Sequence, residues 1–175
     1  MNLNDQLYEQ KIGLGVFETE LGWIGVAVSG RGIVALNLPH PTQEAALSDL
    51  RAQWPEADLL TKEALGDLVD QMQRYAAGEQ VAFHVNLDLS RQPPFRRRVL
   101  ETTLRIPYSE TRSYAWIARQ IGKPRAYRAV GQALAANPIP IIIPCHRVVA
   151  SDGGLGGYSG GLEVKRKLLA LEQGQ

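Results

Sequence analysis

An α+β protein built from two unlike halves is the fold class the sequence predicts, on three observations. Charge divides the chain: residues 1–90 hold 5 Lys and Arg against 13 Asp and Glu, a net of −8, while residues 91–175 hold 14 against 5, a net of +9. Apolar periodicity divides it at the same place, with period-2 alternation prominent early and helical spacing late. Between the two stand Arg91, Gln92, Pro93 and Pro94, a run with the composition of a junction. The expected domains are therefore 1–90, a sheet with helices, and 91–175, mostly helical. With 175 residues, 45% hydrophobic and 21% charged, the chain can bury a full core in one domain or two small ones.

In the first half, residues 12–38 alternate apolar with polar or small positions, punctuated by Gly13, Gly15, Gly22, Gly25, Gly30 and Gly32. That is the pattern of short antiparallel strands and turns, clearest at 21–28 and 33–38. Past Pro39 and Pro41, residues 42–53 place Ala45, Ala46, Leu47 and Leu50 on one side of a helix. A second helix is expected over 62–77, with Leu65, Leu68, Val69, Met72 and Tyr75 inward and Gly78 as its stop. Residues 81–89 alternate again, Val81, Phe83, Val85, Leu87 and Leu89 against His84, and predict a last strand.

Beyond the junction, 95–104 reads as a helix that buries Phe95, Val99 and Leu100, leaves Arg96, Arg97 and Arg98 mostly exposed, and stops at Pro107. Thr111 or Ser113 can cap the next helix, 114–121, whose apolar side is Trp116, Ile117 and Ile121. Gly122, Lys123 and Pro124 form a tight turn into a helix over 125–136. Two short helices joined by a glycine-containing turn make the helix-turn-helix layout, which docks its second helix in a groove of DNA. Here that helix is rich in Ala and Gly, where a major-groove reader carries several long polar side chains. Small residues suit close approach to a minor groove, with Arg128 reaching from the centre. They suit a tightly packed core helix equally well. The last helix, 162–172, is expected to carry Lys165, Arg166 and Lys167 on its polar surface and ends at Glu172.

Composition narrows the function classes. A basic half attracts polyanions through phosphate contacts, although opposite charges holding two domains together would show the same segregation. The opening residues Met1, Asn2, Leu3, Asn4, Asp5 and Gln6 lack a basic region followed by an apolar core. No apolar run approaches the roughly 18 residues of a membrane span. A cytoplasmic or nuclear protein without a membrane partner is expected. The single cysteine excludes an internal disulfide and leaves no cysteine-rich zinc site, so His40 and His84 read as surface or structural histidines. The glycine-rich loop 151–161 meets neither phosphate-binding fingerprint; it could wrap a planar ligand, with Tyr158 as a stacking face.

The chemistry concentrates around Cys145. Pro144, Cys145, His146, Arg147 and Val148 follow the apolar run Ile139, Pro140, Ile141, Ile142, Ile143. A lone thiol delivered by a stiff apolar segment into a polar turn is a candidate nucleophile. Thiolate rather than thiol attacks, so His146 beside it is the candidate base. Asn137, preceding Pro138, can fix how the helix hands over to an active-site strand, and Glu172 can return to the cysteine region.

Residues 137–149, followed by Gly157, Tyr158, Ser159, Gly160, Gly161 and Leu162, resemble the active-site signature of the O6-alkylguanine-DNA alkyltransferases, the methylated-DNA–protein-cysteine methyltransferases. The likeness extends upstream through 108–114 and through Arg128, Ala129, Val130 and Gly131, so it covers 93–172. It implies a winged helix-turn-helix-like carboxy-terminal domain and, on order and length alone, a small RNase H-like α/β amino-terminal domain. The implied function is DNA repair by irreversible, stoichiometric transfer of the alkyl group from O6-alkylguanine, and from O4-alkylthymine, to Cys145 after nucleotide flipping.

The same resemblance assigns roles. His146 takes the thiol proton through a bound water, Glu172 orients His146, Tyr114 protonates the departing guanine, and Asn137 is a hinge. Arg128 fills the gap in the base stack, with Ala129, Gly131, Lys123 and Ser151 on the DNA. Val148, Tyr158, Ser159 and Lys165 hold the flipped base. The implied partner is double-stranded DNA with alkylated bases, entered from the minor groove, with no cofactor or metal and with self-association along DNA left open. Tyr127, Leu134 and Lys123 stand where smaller or more variable residues are expected. The zinc cysteines of some members are missing, and no transcription-activating domain is read. A binding-only alkyltransferase-like protein would show Trp in place of Cys145, and a Cys-His hydrolase would bring its histidine from far along the chain. The sequence fits neither.

Overall fold

Period-2 alternation in the first half becomes a sheet of order β3-β2-β1-β4, formed by β1 (Gly13–Thr19), β2 (Gly22–Ser29), β3 (Gly32–Leu36) and the two-residue β4 (Asp58–Leu59). The computed structural model describes residues 11–174, so the reading of residues 1–6 as leaderless lies outside the described residues. The chain divides into two units, Met1–Ser90 and Arg91–Gln175.

In the first unit, β1 and β3 flank β2 in antiparallel fashion, and β4 joins β1 in parallel. Gly22 turns the first hairpin at φ +124°, and a Cβ there would sit 2.7 Å from the His40 carbonyl oxygen, so only glycine fits. Leu14 and Ala27 pair in register and pack with Leu50 of α1 (Gln43–Arg51), whose cap Thr42 accepts from Ala45 N. Gly15 points to the opposite face, where a Cβ would lie 2.7 Å from Leu65. Met72 and Tyr75 of α2 (Leu68–Ala76) are fully buried.

Two expectations fail here. The helix over 62–77 is broken: a 3-10 turn, Glu63–Leu65, stops at Gly66 with φ +56°, and α2 starts two residues later. Residues 81–89 do alternate, with Val81 and Leu89 buried and His84 exposed, but they form no strand. Their link to β3 is a single bridge, Leu87 to Ile33, made by Ile33 N to Asn86 O and Asp88 N to Ile33 O. The segment is tethered from the side by Gln71, which accepts from His84 N at 2.8 Å. Alternation marks which side chains turn inward; a ladder also needs a partner strand alongside.

In the second unit, α3 (Pro94–Thr103), α4 (Tyr114–Gln120) and α5 (Tyr127–Ala135) pack together over Val99, Leu100, Ile117 and Val130. Pro94 sits in the first turn of α3, where its missing N–H is not needed. Ser113 rather than Thr111 caps α4, accepting from Trp116 N at 3.1 Å. Gly122, at φ +72°, makes the turn that leads toward α5. The expected active-site strand over 139–143 is a turn instead. Pro140 bridges to Ile143, and Ile141 adopts φ +72°, a left-handed conformation that costs a β-branched residue about 1–3 kcal/mol. The chain then enters a 3-10 turn, Cys145–Arg147, and β6 (Val148–Val149), which pairs in parallel with β5 (Arg112–Ser113). Helix α6 (Leu162–Glu172) follows. Among the described residues no helix is long and apolar enough to cross a membrane.

Candidate active site

The 3-10 turn holds Cys145 with only 4% of its surface exposed. Asn137, at the end of α5, reaches it from the side: Nδ2 donates to Sγ at 3.1 Å and to Ile143 O at 2.9 Å, while Oδ1 accepts from Ile139 N at 3.0 Å. One amide thus fixes both the left-handed turn and the sulfur. The Tyr158 hydroxyl is buried near the same sulfur, with no geometric hydrogen-bond partner of its own among the described residues. Burial pushes the Cys145 thiol up, against the Asn137 hydrogen bond, the nearby Tyr158 hydroxyl and the charge of Lys165, which pull the other way. At rest the group is a thiol, and a base must act before it can attack.

The candidate base is the next residue. His146 is completely buried, and its Nε2 meets Glu172 Oε1 at 2.7 Å. Burial would raise the Glu172 carboxyl, but hydrogen bonds from His146 and Arg147 outweigh it and hold the group down at about 2. An ionised carboxylate only accepts, so the proton of the neutral imidazole sits on Nε2 and the basic lone pair on Nδ1. Burial lowers His146, with Glu172 opposing. Arg147 closes the cluster with Nε to Glu172 Oε2 and Nη2 to Oε1, both 2.9 Å, and Nη1 to Ile106 O at 2.8 Å. Ser109, itself at φ +64°, adds its backbone N–H to Glu172 at 3.1 Å.

Cys145 opens onto a cavity of about 400 Å³. Helix α5 lines it through Tyr127, Arg128, Gly131, Leu134 and Ala135, and Tyr114, Gly157, Tyr158 and Ser159 complete the lining. Tyr114 is held by the glycine loop: its hydroxyl donates to Gly157 O at 3.0 Å, and Gly156, at φ +68°, passes so close that a Cβ would come to 2.7 Å of the ring. Burial raises both Tyr114 and Tyr158 and keeps them as phenols, able to donate a proton.

Of the residues singled out from sequence, Tyr114, Arg128, Gly131, Cys145, Tyr158 and Ser159 line this cavity, Asn137 bonds the sulfur, and His146, next along the chain, meets Glu172. Val148 is buried and offers its carbonyl to Lys165. Ala129, Lys123 and Ser151 are exposed and lie outside the cavity lining, Lys123 over the Phe95 ring at 5.7 Å. Lys165 corrects an expectation: read on the polar surface of α6, it is fully buried. Its ammonium donates to Val148 O at 2.6 Å and to Leu155 O, clasping the glycine loop, and lies 5.9 and 6.0 Å from the Tyr114 and Tyr158 rings. Burial brings it down to about 8. Sequence reading passed over Arg147, for which its place beside the Cys-His pair was the one signal. It also gave Gly156 and Gly157 no specific role, although a glycine-rich loop marks a close approach.

Elsewhere, His40 pairs with the exposed Asp49 at 3.0 Å. No group of three His, Cys, Asp or Glu side chains suited to a metal ion occurs among the described residues.

Comparison with known proteins agrees with this architecture. The family model described as 6-O-methylguanine DNA methyltransferase, ribonuclease-like domain, matches residues 12–89, and its DNA binding domain counterpart matches 94–174. The methylated-DNA–protein-cysteine methyltransferase of Mycobacterium tuberculosis is 47% identical over 149 residues, covering 85% of this chain and 86% of that one. Its namesake from Methanosarcina barkeri is 40% identical over 158 residues, covering 90% and 95%. The crystal structure of the M. tuberculosis O6-methylguanine methyltransferase superposes with a TM-score of 0.77 at 40% identity, over 93% of each chain. The same organism's OGT in complex with DNA gives 0.78 with the same identity and coverage. With both halves matched by the family models and a relative at this identity over most of its length, the chain belongs to the methylated-DNA–protein-cysteine methyltransferase family.

Proposed function

We propose that the protein repairs alkylated DNA directly, by moving the alkyl group from guanine O6 onto its own Cys145. One observation carries the reading: the chain's single thiol and a phenol, Tyr114, line one cavity of about 400 Å³, and the two residues that follow the thiol, His146 and Arg147, form a buried cluster with Glu172. His146 takes the thiol proton at Nδ1 as sulfur attacks. The S–C bond forms, the C–O6 bond breaks with its electron pair going to guanine, and Tyr114 supplies the proton that neutralises the base. Glu172 and Arg147 hold the imidazolium in place. One proton leaves sulfur and one reaches guanine, so no cofactor is consumed; the thioether has no route back, and each molecule acts once.

The target oxygen is stacked inside a duplex, so the nucleotide is flipped into the cavity at a cost of a few kcal/mol. Arg128, exposed on α5, fills the vacancy from the minor groove, where Ala129 and Gly131 allow close approach and Lys123 and Ser151 meet the backbone. Val148, Tyr158, Ser159 and Lys165 shape the pocket for the base, with O4-alkylthymine as a second substrate. The unit 91–175 carries both DNA binding and chemistry, and the protein works wherever the DNA is, in the cytoplasm with the nucleoid or in a nucleus.

Mixing the protein with excess duplex carrying O6-methylguanine should add one methyl mass to the peptide containing Cys145, once per molecule. Cys145→Ser should abolish transfer while leaving duplex binding within about threefold. Binding without an adduct would indicate a lesion sensor, repeated turnover would indicate a hydrolase, and either result ends this reading.

A further inference from the structure

The first residue of α5 is out of keeping with its surroundings. The other exposed residues around it, Arg125, Arg128 and Ala129, are charged or small, yet Tyr127 is a large aromatic with 47% of its surface exposed. It fills no core. It lines the cavity that Cys145 opens onto, beside Arg128. The Arg128 guanidinium carbon lies 5.9 Å from the Tyr127 ring centroid, within cation–π range. Adjacent residues on a helix point about 100° apart and do not face each other, so this approach requires the Arg128 stem to turn back over the ring instead of extending freely into solvent.

We propose that Tyr127 is a positioning residue for Arg128: its ring holds the guanidinium at the cavity mouth, so that the arginine enters the base stack as the damaged nucleotide leaves it. The proposal rests on reading the cavity as a base-flipping site and deepens that reading by assigning a residue to the flipping step. Fixing a long, free arginine side chain costs rotamer entropy, and a ring that confines it before DNA arrives lowers that cost. This accounts for an exposed aromatic beside an exposed arginine.

The test follows opening of the stack rather than alkyl transfer. A duplex with 2-aminopurine next to O6-methylguanine is titrated with protein carrying Cys145→Ser, and the rise in fluorescence is read against protein concentration. Adding Tyr127→Leu should raise the half-saturation concentration about tenfold, while Tyr127→Phe, which keeps the ring, should stay within twofold. With Arg128→Ala also present, Tyr127→Leu should change it less than twofold, because the residue acts through the arginine. An equal effect with and without Arg128→Ala, or no effect of Tyr127→Leu, overturns the proposal. No rise in fluorescence even with Tyr127 and Arg128 intact removes the flipping reading, and this proposal with it, so the two failures are distinguishable.

Discussion

The two units bury different things. The first holds apolar side chains against both faces of its sheet, and its buried polar groups Ser29, Gln71 and Asp88 are each satisfied locally, as when Ser29 donates to Asp88 at 2.8 Å. The second buries His146, Arg147, Lys165 and Glu172 near one thiol. Taking such charges out of water costs several kcal/mol each, and pairing recovers that only when geometry is good. Burial in the first unit serves packing. In the second it sets proton affinities, holding Glu172 ionised, His146 neutral and Cys145 protonated until a substrate arrives.

The largest break in that contrast should come from Glu172→Gln. The substitution leaves Arg147 buried without a countercharge and His146 without its anchor. It should cost the second unit about 3–5 kcal/mol, seen as lost hydrogen-exchange protection in peptides from 91–174, and slow single-turnover transfer at least about 100-fold. The acid limb sharpens the point. The Glu172 carboxyl is depressed from 4.5 to about 2, so its contribution is present above 4.5 and is lost as pH falls toward 2; about 3 kcal/mol should disappear across that window. An unchanged acid limb in Glu172→Gln would show that the cluster does not control it.

Met72→Ala probes the other kind of burial. The side chain is fully buried in α2, and its loss should cost about 2–5 kcal/mol of protection in peptides from 11–90. Transfer by the folded protein should change less than twofold. A rate loss comparable to that of Glu172→Gln would erase the distinction between packing and chemistry.

How much of this was legible in sequence follows from the same distinction. Local rules found what is decided locally: period-2 alternation gave β1 to β3, Ser113 is one of the two caps expected for α4, and Gly78, at φ +85°, ends α2. The residues placed around the thiol came from a contiguous motif plus a family resemblance; Glu172 came from its place at the end of the last helix, and its role toward His146 from the resemblance. What sequence missed depends on neighbours distant along the chain. Arg147 is passed over and Lys165 reads as a surface cation because nothing local says that Glu172, 25 residues on from Arg147, or the carbonyls of Val148 and Leu155 will take them inside. Residues 81–89 looked like a strand because alternation reports burial, not pairing.

Gly156→Ala should act on geometry with little effect on stability. The new Cβ would lie 2.7 Å from the Tyr114 ring at a backbone angle of φ +68°, so the ring or the loop must move. The expected stability loss is about 1 kcal/mol, while transfer falls about 10- to 100-fold through the displaced proton donor. Gly131→Ala is the internal contrast: there a Cβ meets Tyr114 at 3.8 Å, an ordinary contact, and the rate should stay within threefold.

The smallest effect carries the sharpest comparison. Arg97 Nε and Glu101 Oε1 on α3 lie 2.8 Å apart, and Arg147 Nε and Glu172 Oε2 lie 2.9 Å apart. The two pairs match in chemistry and distance but differ in surroundings, about half exposed in the first and at most 9% exposed in the second. Water and salt screen an exposed pair, and holding two long side chains together costs entropy, so Glu101→Gln should lower stability by no more than about 0.5 kcal/mol, less in high salt. A thermal melt compared with that of Glu172→Gln measures what burial and the added contacts of Arg147 Nη2, His146 and Ser109 N–H contribute beyond a single exposed pair. A Glu101→Gln loss above about 1 kcal/mol would mean that distance, not desolvation, governs both pairs, and the contrast between the units would then need another cause.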